Sequence, residues 1–230
     1  MIRLGVPSKG RLMERTFDWF GVRGLTLSRT GSDREYAGRV EGADIALVLL
    51  SAGEIPRELS AGRIHLGVTG SDLVREKLVR WDMQVETVAP MGFGQADLIL
   101  AVPKAWIDVD DLDDLDAAAA QFRAIHGHRL RIATKYHRLV REFLRANGVA
   151  DYRLVDSQGA TEGTVLNETA EMIADITSTG ETLRANHLKI LSDGLIHSSQ
   201  ATLFRSLRAD WTAEDRAEFD RIAPHLTAAP

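Results

Sequence analysis

The 230-residue chain contains no cysteine, which excludes disulfide staples, thiolate metal centres and cysteine nucleophiles and fits a reducing compartment. It has no surplus of positive charge. Lys and Arg number 28 against 33 Asp and Glu, a net charge of −5, so no global field points to nucleic acid, and an anionic ligand must be held by local cations and backbone N–H groups. No apolar run approaches the ~18 residues of a membrane span. The first eleven residues are no export signal, because their apolar run is broken by Arg3 and ends at Lys9. A soluble, cytoplasmic protein is expected. The seven histidines show no metal-type spacing, such as a pair at i, i+4 on one helix. No Ser-His-Asp arrangement is visible, which leaves positioning and charge stabilisation as the means of any catalysis.

What is present is ordinary for a globular protein: 44% apolar and 27% charged residues, enough chain for one large or two small lobes. Strand-like and helix-like segments alternate. Residues 2–6, 43–50 and 65–69 read as strands, each followed by helical spacing at 12–20, 54–60 and 71–78. The theme repeats in strands at 96–102, 129–133 and 152–155, with helices at 108–123 and 136–147. Further strands are expected at 173–177, 188–191 and 195–198, and a last helix over 211–222 capped by Thr212. This alternation predicts an α/β fold with a parallel or mixed sheet covered by helices. Trp19, Trp81, Trp106 and Trp211 read as packing residues. The acidic run 108–116 is either a metal site or a solvated helix start with carboxylates at its positive end, and the second reading is favoured.

Five strand-end turns carry the chemistry. In Ala174-Asp175-Ile176-Thr177-Ser178-Thr179-Gly180-Glu181-Thr182-Leu183 an apolar strand runs into a hydroxyl-rich turn with one glycine and then a helix start. Such a turn gathers amides and the hydroxyls of Ser178, Thr179 and Thr182 at one spot, as a phosphate monoester requires. Asp175 stands where it can accept from sugar hydroxyls. The same pattern also serves as a simple capping turn. Upstream, Glu162 lies between glycines in 159–163 after a strand, and can pair with Asp175 on the two hydroxyls of a ribose; taken alone, the exposed-loop reading of this acid is favoured. Pro7-Ser8-Lys9-Gly10-Arg11 puts two cations at a strand-to-helix junction, a compact site for pyrophosphate or an ordinary basic turn. Thr69, Gly70 and Asp72 form a further glycine turn, and Thr134 and Lys135 repeat the design in the second half.

Together these segments resemble the ATP phosphoribosyltransferase catalytic family, short form, over nearly the whole chain. The matching pieces are VPSKGRL (6–12), GEIPRELSAGRIHLGVTGSDL (53–73), GFGQADLILAVP (92–103), RIATKY (131–136), GATEG (159–163) and ADITSTGETLRANHLKI (174–190). The last is the most specific. Two departures stand out: Thr164-Val165 where that family commonly carries Ala-Pro, and Glu168 where glycine is frequent.

The resemblance implies a two-lobed, type II periplasmic-binding-protein-like α/β fold with the active site in the interlobe cleft. Lobe I would comprise residues 1–100 plus 186–230 and lobe II 101–185, with no C-terminal regulatory domain. It implies transfer of the 5-phosphoribosyl group from phosphoribosyl pyrophosphate to N1 of the ATP adenine, the first step of histidine biosynthesis, with Mg²⁺ bound mainly through substrate phosphates. Catalytic roles would fall to Lys9, Arg11, Glu162 and Asp175. Thr177, Ser178, Thr179, Gly180 and Thr182 would join Glu162 and Asp175 on phosphoribosyl pyrophosphate. Ser8, Lys9, Arg11, Thr69, Gly70, Asp72 and Lys135 would bind ATP or polyphosphate. The expected partner is a histidyl-tRNA-synthetase-like regulatory subunit in a hetero-oligomer. Three rival functions remain: a scaffold subunit of purely structural role, against which the presence of both Glu162 and Asp175 argues, a non-catalytic two-lobed binding protein, and a phosphoribosyltransferase for a free base. Enzymes of that last kind usually carry two adjacent acids before the phosphate turn, whereas here Ala174 precedes Asp175.

Overall fold

Apolar residues at alternate positions of the first strand, Ile2, Leu4 and Val6, are fully buried and seed one side of a sheet. The computed structural model describes residues 1–29, 37–157 and 159–227. The chain divides into two compact units, Met1–Gln95 with Gln200–Pro230, and Ala96–Ser199.

The first unit holds β1 (Ile2–Pro7), α1 (Gly10–Gly21), β2 (Leu27–Arg29), β3 (Ala37–Val40), β4 (Ile45–Leu50), α2 (Ile55–Ser60), β5 (Leu66–Gly70), α3 (Ser71–Lys77) and β6 (Val85–Pro90). The second holds β7 (Ala96–Pro103), α4 (Leu112–His126), β8 (Leu130–Thr134), α5 (His137–Ala146), β9 (Tyr152–Asp156), α6 (Gly163–Leu166), β10 (Met172–Thr177), α7 (Glu181–Ala185) and β11 (Leu188–Ser199). The chain then returns to the first unit as β12 (Ala201–Ser206) and α8 (Ala213–Thr227).

The first sheet runs β2-β3-β4-β1-β5-β12-β6. Its middle is parallel, β1 lying between β4 and β5, so the carboxyl ends of all three open on one edge. Ile2, Leu4, Val6, Ile45, Leu47 and Leu49 pack with Phe20 on one face, while Ile55, Leu59, Ile64 and Phe204 cover the other. Two covered faces explain why β5 is buried at Leu66, Gly67, Val68 and Thr69.

The second sheet runs β11-β7-β10-β8-β9. Strands β10, β8 and β9 are mutually parallel, so the turns after them share one edge. Ile99, Ala101, Ala133, Ile173 and Leu188 form a core that also takes Leu183 of α7, which fixes the turn between β10 and α7 to the sheet.

The α/β reading holds, and the dividing points differ from those expected. Residue 100 falls inside β7, and β11 stays with the second unit through antiparallel pairing with β7 from Leu188↔Pro103 to Ser199↔Ala96. The lobe change therefore comes at residues 95/96 and 199/200. The two strands expected at 188–191 and 195–198 are one strand, interrupted by register shifts between Ile190 and Leu195 and between Leu195 and His197.

The acidic run behaves as a helix start. Asp111 Oδ1 accepts the Asp114 amide at 3.0 Å, Asp114 Oδ2 accepts the Asp110 amide at 3.0 Å, and Asp110 pairs with Lys189 at 2.6 Å. Thr212 caps α8, its Oγ1 accepting the Asp215 amide at 3.2 Å.

Candidate functional site

In the second unit, β10 delivers Asp175 and Thr177 to the edge where β8 and β9 also end. Gly180 then turns the chain with φ +69°, a left-handed value that glycine adopts without steric cost. A cavity of about 200 Å³ opens there, lined by Glu162, Asp175, Thr177, Ser178, Thr179 and Thr182, with Glu181 and the apolar Ile173, Ile176 and Leu183. Five of the six polar residues named first come from one turn. Glu162 arrives from the loop after β9, thirteen residues upstream of Asp175 in sequence and beside it in space.

Internal hydrogen bonds hold the turn. Thr177 Oγ1 accepts the Gly180 amide at 2.9 Å, Thr179 Oγ1 accepts the Glu181 amide at 3.4 Å, and Arg184 Nη1 donates to the Thr179 carbonyl at 3.0 Å. Two amides of the turn thus rest on its own hydroxyls, and a phosphate has to share or replace those bonds. Arg184 is a residue the sequence reading passed over. Its position four after Gly180, one helical turn along, is the signal that would have found it.

Asp175 is held from two sides. Its Oδ1 accepts the Ile176 amide at 2.8 Å and lies 3.4 Å from Lys135 Nζ. Its side chain is only 15% exposed, so these contacts orient it. Lys135 was expected among the polyphosphate residues. It pairs with Asp175, because β8 and β10 are neighbours and end on the same edge.

The loop bearing Glu162 is pinned by Ser157 Oγ, 3.1 Å from Thr161 Oγ1, and by Thr164 Oγ1 donating to the Thr161 carbonyl at 2.6 Å. Thr164 thus serves the loop at one of the two departures from the family pattern, and Val165 packs on the core. Ala160 and Glu168 flank the loop with φ of +21° and +56°. Glu168 adopts the backbone conformation for which glycine is suited.

Beneath the loop, Glu171 binds Arg131 through the guanidinium at 2.6 Å and the amide at 2.6 Å. Burial works to raise the Glu171 pKa, but the Arg131 bonds outweigh it and hold the carboxyl below its ordinary value.

The first unit offers a different turn. Ser8 is tied to β4 by its amide, which donates to the Leu50 carbonyl at 2.8 Å. Gly10 has φ +72° with open space where a Cβ would lie, and Lys9, Gly10 and Arg11 are exposed. Helix α1 starts with no side-chain cap and no acid in its first turn, so no carboxylate of that turn offsets its positive end. Among the described residues neither Lys9 nor Arg11 makes an ion pair.

Two expectations on the same sheet edge change. Thr69 is fully buried and its Oγ1 donates to the Ala52 carbonyl at 2.7 Å, so its hydroxyl does not face a ligand; both faces of β5 are covered. Asp72 is also buried, in the first turn of α3. Gly70 remains half-exposed at the N-terminus of that helix.

Fold and turn together define an α/β protein with two sheets, of the periplasmic-binding-protein type, with a hydroxyl- and carboxylate-lined pocket at the β10–α7 turn. A sensor domain of a histidine kinase with similarity to periplasmic binding proteins shares the fold, at TM-score 0.54 and 12% identity over 98% of this chain and 88% of that one. A chain of the ATP phosphoribosyl transferase (HisG:HisZ) complex from Thermotoga maritima shares it more fully, at TM-score 0.71 and 22% identity over 98% of this chain and all of that one.

Residues 51–228 match the family model for ATP phosphoribosyltransferase, HisG. A Cereibacter sphaeroides ATP phosphoribosyltransferase is 78% identical over 212 residues, 92% of this chain and 90% of that protein. A Mesorhizobium japonicum relative of the same name is 49% identical, covering all of this chain and 99% of its own. The chain belongs to the ATP phosphoribosyltransferase family. It is a phosphoribosyl-transferring enzyme, and the function of its family is the first step of histidine biosynthesis.

Proposed function

We propose that the cavity at the β10–α7 turn holds the phosphoribosyl half of phosphoribosyl pyrophosphate. The 5-phosphate lies against the amides and hydroxyls of residues 177–182, and Glu162 and Asp175 accept from the two ribose hydroxyls. The observation that carries this reading is that one cavity gathers all six of those polar side chains. Lys135 and Arg184 position them, the first through Asp175 and the second through the Thr179 carbonyl.

The turn of Ser8, Lys9 and Arg11, with Gly70 on the same sheet edge, receives phosphates. Its two exposed cations and the uncapped α1 N-terminus suit a leaving pyrophosphate or the ATP triphosphate. Adenine N1 attacks the anomeric carbon as the bond to pyrophosphate breaks; the carbon gains oxocarbenium character, and the protein aligns the two substrates and neutralises the leaving group. No protein nucleophile is required.

Among the described residues no group of three or more His, Cys, Asp or Glu converges as a metal cage. A Mg²⁺ ion carried on the pyrophosphate, with Glu162 or Asp175 as its carboxylate neighbour, fits that donor set, because this ion keeps waters and binds through one or two carboxylates plus phosphates. When bound, it would screen the charge of the departing pyrophosphate. Lys9 and Arg11 then carry the part that falls to the chain itself.

The HisG:HisZ pairing of the Thermotoga maritima neighbour supports a hetero-oligomer with a regulatory subunit similar to histidyl-tRNA synthetase. Among the described residues no helix is long and apolar enough to cross a membrane, which accords with work in the cytoplasm.

The test is pyrophosphate release from ATP plus phosphoribosyl pyrophosphate, with and without that subunit, for the wild type and for Glu162→Gln and Asp175→Asn. The reading requires the phosphoribosyl pyrophosphate KM or kcat of both variants to suffer. Wild-type kinetics in both, with the fold intact, would remove the two acids from the pocket. Substitution of free bases for ATP separates this reading from a base phosphoribosyltransferase.

A further inference from the structure

Strand β9 is an edge strand: in its sheet it pairs only with β8. The other side of its backbone, over Tyr152–Asp156, has no ladder among the described residues. Open edges of this kind are templates for another chain. Along this one runs a groove of about 650 Å³, lined among others by Arg129, Arg141, Arg145, Tyr152, Arg153 and Leu154.

All four arginines are exposed. Arg129 reaches Asp151 at 3.8 Å, and Arg141, Arg145 and Arg153 make no ion pair among the described residues. Arg141 and Arg145 stand at i, i+4 on α5, where like charges oppose helix formation. In a chain of net charge −5 this concentration of cations is local, and its fold does not neutralise it. Arginine and tyrosine over an apolar floor is also the composition of interface centres.

The spacing selects an extended guest. Strands β8 and β9 are parallel and α5 is the crossover between them, so the helix runs back along the strands. Arg141 and Arg145 are then about 6 Å apart along the groove, close to the roughly 6.7 Å between alternate side chains of a strand. We propose that the β9 edge receives an extended acidic segment of a partner protein as a sixth strand. The segment's backbone pairs with β9, and its alternate carboxylates meet the guanidinium groups of Arg129, Arg141, Arg145 and Arg153. The edge lies two strands from β10, so the guest leaves the sugar-phosphate pocket free. This inference does not rest on the transferase reading.

The probe is a peptide of about ten residues alternating Glu with Val, long enough for one strand, titrated into the full chain by calorimetry. Controls are the same peptide with Lys for Glu, and the acidic peptide N-methylated at alternate amides. Binding by the acidic peptide alone, weakened at least tenfold in Arg141→Glu/Arg145→Glu and by raised salt, and at least tenfold by N-methylation, is the expected result. Arg153→Glu provides a second variant should the double one fail to fold. Absence of binding, binding unchanged by charge reversal, or equal binding of the N-methylated peptide each overturns the proposal. So does salt-sensitive self-association of the chain that disappears in the double variant, which would make a second copy the occupant.

Discussion

Two of the strand-end turns that the sequence singled out, those after β10 and β1, are built on opposite plans. The turn after β10 is finished before any ligand arrives: its hydroxyls already hold its amides, Arg184 ties its carbonyl, and Lys135 orients its acid. The turn after β1 is left open, with two exposed cations, no helix cap and a glycine in free space. A pocket for an intact sugar phosphate gains from fixed geometry, because discrimination rests on hydrogen bonds that must be in place. A site that meets a leaving pyrophosphate needs charge that can follow a moving target, and long basic side chains supply it.

That contrast breaks first at Lys9. Lys9→Ala or Arg11→Ala should lower kcat by about 10²- to 10³-fold, the usual loss when one charge-stabilising donor is removed, while the melting temperature stays put because both side chains are exposed. Turnover near the wild-type value in folded protein would strip the first turn of its role. Thr182→Val is the matching change in the second turn. Its expected effect is a rise of about 10-fold or more in the KM for phosphoribosyl pyrophosphate, from loss of one hydrogen bond to a charged group worth ~1.5–3 kcal/mol. A fall in kcat alone, with KM unmoved, would contradict the ground-state binding assigned to that turn.

Gly180→Ala asks whether the second turn is as rigid as its bonds suggest. A Cβ there would sit 3.1 Å from Arg184 Nη1 on a backbone at φ +69°, and left-handed geometry costs a non-glycine residue roughly 1–2 kcal/mol. Urea unfolding should show a loss of that size together with a raised KM. The equivalent Gly10→Ala, at φ +72° but with nothing near its Cβ, should carry the backbone penalty without the contact. If the two substitutions behave alike, Arg184 does not strap the turn.

The units also differ in how acid reaches them. His65, in the first unit, is buried; burial drives its pKa below the ordinary 6.5, against an opposing bond to the Asp210 carbonyl. As pH falls through 6.5 the unfolded chain takes a proton that the folded ring refuses, so stability declines from there down to the ring's folded pKa. Glu171, in the second unit, is held below its ordinary 4.5 by Arg131, which outweighs burial. Its contribution is whole above 4.5 and is lost as pH drops through the lower folded value. Hydrogen exchange followed from about pH 7 to pH 5.5 should therefore loosen the first sheet before the second, and His65→Gln should flatten that step. Loss of protection in both sheets at the same pH would refute the separation.

The sequence disclosed most where a pattern was local. The hydroxyl turn at 177–182, the acid at 175 and the parallel strands leading to them all follow from contiguous residues. Strand β12 did not show itself. Ala-Thr-Leu-Phe-Arg-Ser is short, is buried on both faces at five of six positions, and takes its meaning from β5 and β6 on either side. Strands β2, β3 and β6 were missed as well; they are more exposed than β12, and it is pairing with β3, β4 and β12 that defines them. The lobe boundary shifted because β11 is defined by its partner β7 and by two register shifts, neither visible in one chain segment. Thr69 shows the limit at the level of one side chain: its place at a strand end was legible, but not that its hydroxyl is spent on Ala52.

The smallest effect tests where backbone strain is kept. In the first turn positive φ falls on a glycine, Gly10; in the second site Gly180 takes it too, but so do Ala160 and Glu168, on either side of Glu162. Glu168 is the position where the family resemblance led glycine to be expected, and at φ +56° glycine would sit without steric cost. Relief of the left-handed penalty is partly offset by the greater freedom of glycine in the unfolded chain. Glu168→Gly should therefore stabilise by about 0.5 kcal/mol, a rise of ~1–2 °C in melting temperature for a chain of this size. The Glu168 carbonyl accepts from Arg131 Nη2 at 3.0 Å, a bond the substitution keeps, so the gain isolates the backbone. An unchanged or lower melting temperature would mean that the Glu168 side chain itself stabilises the loop, and that this departure from the family pattern is compensated where it stands.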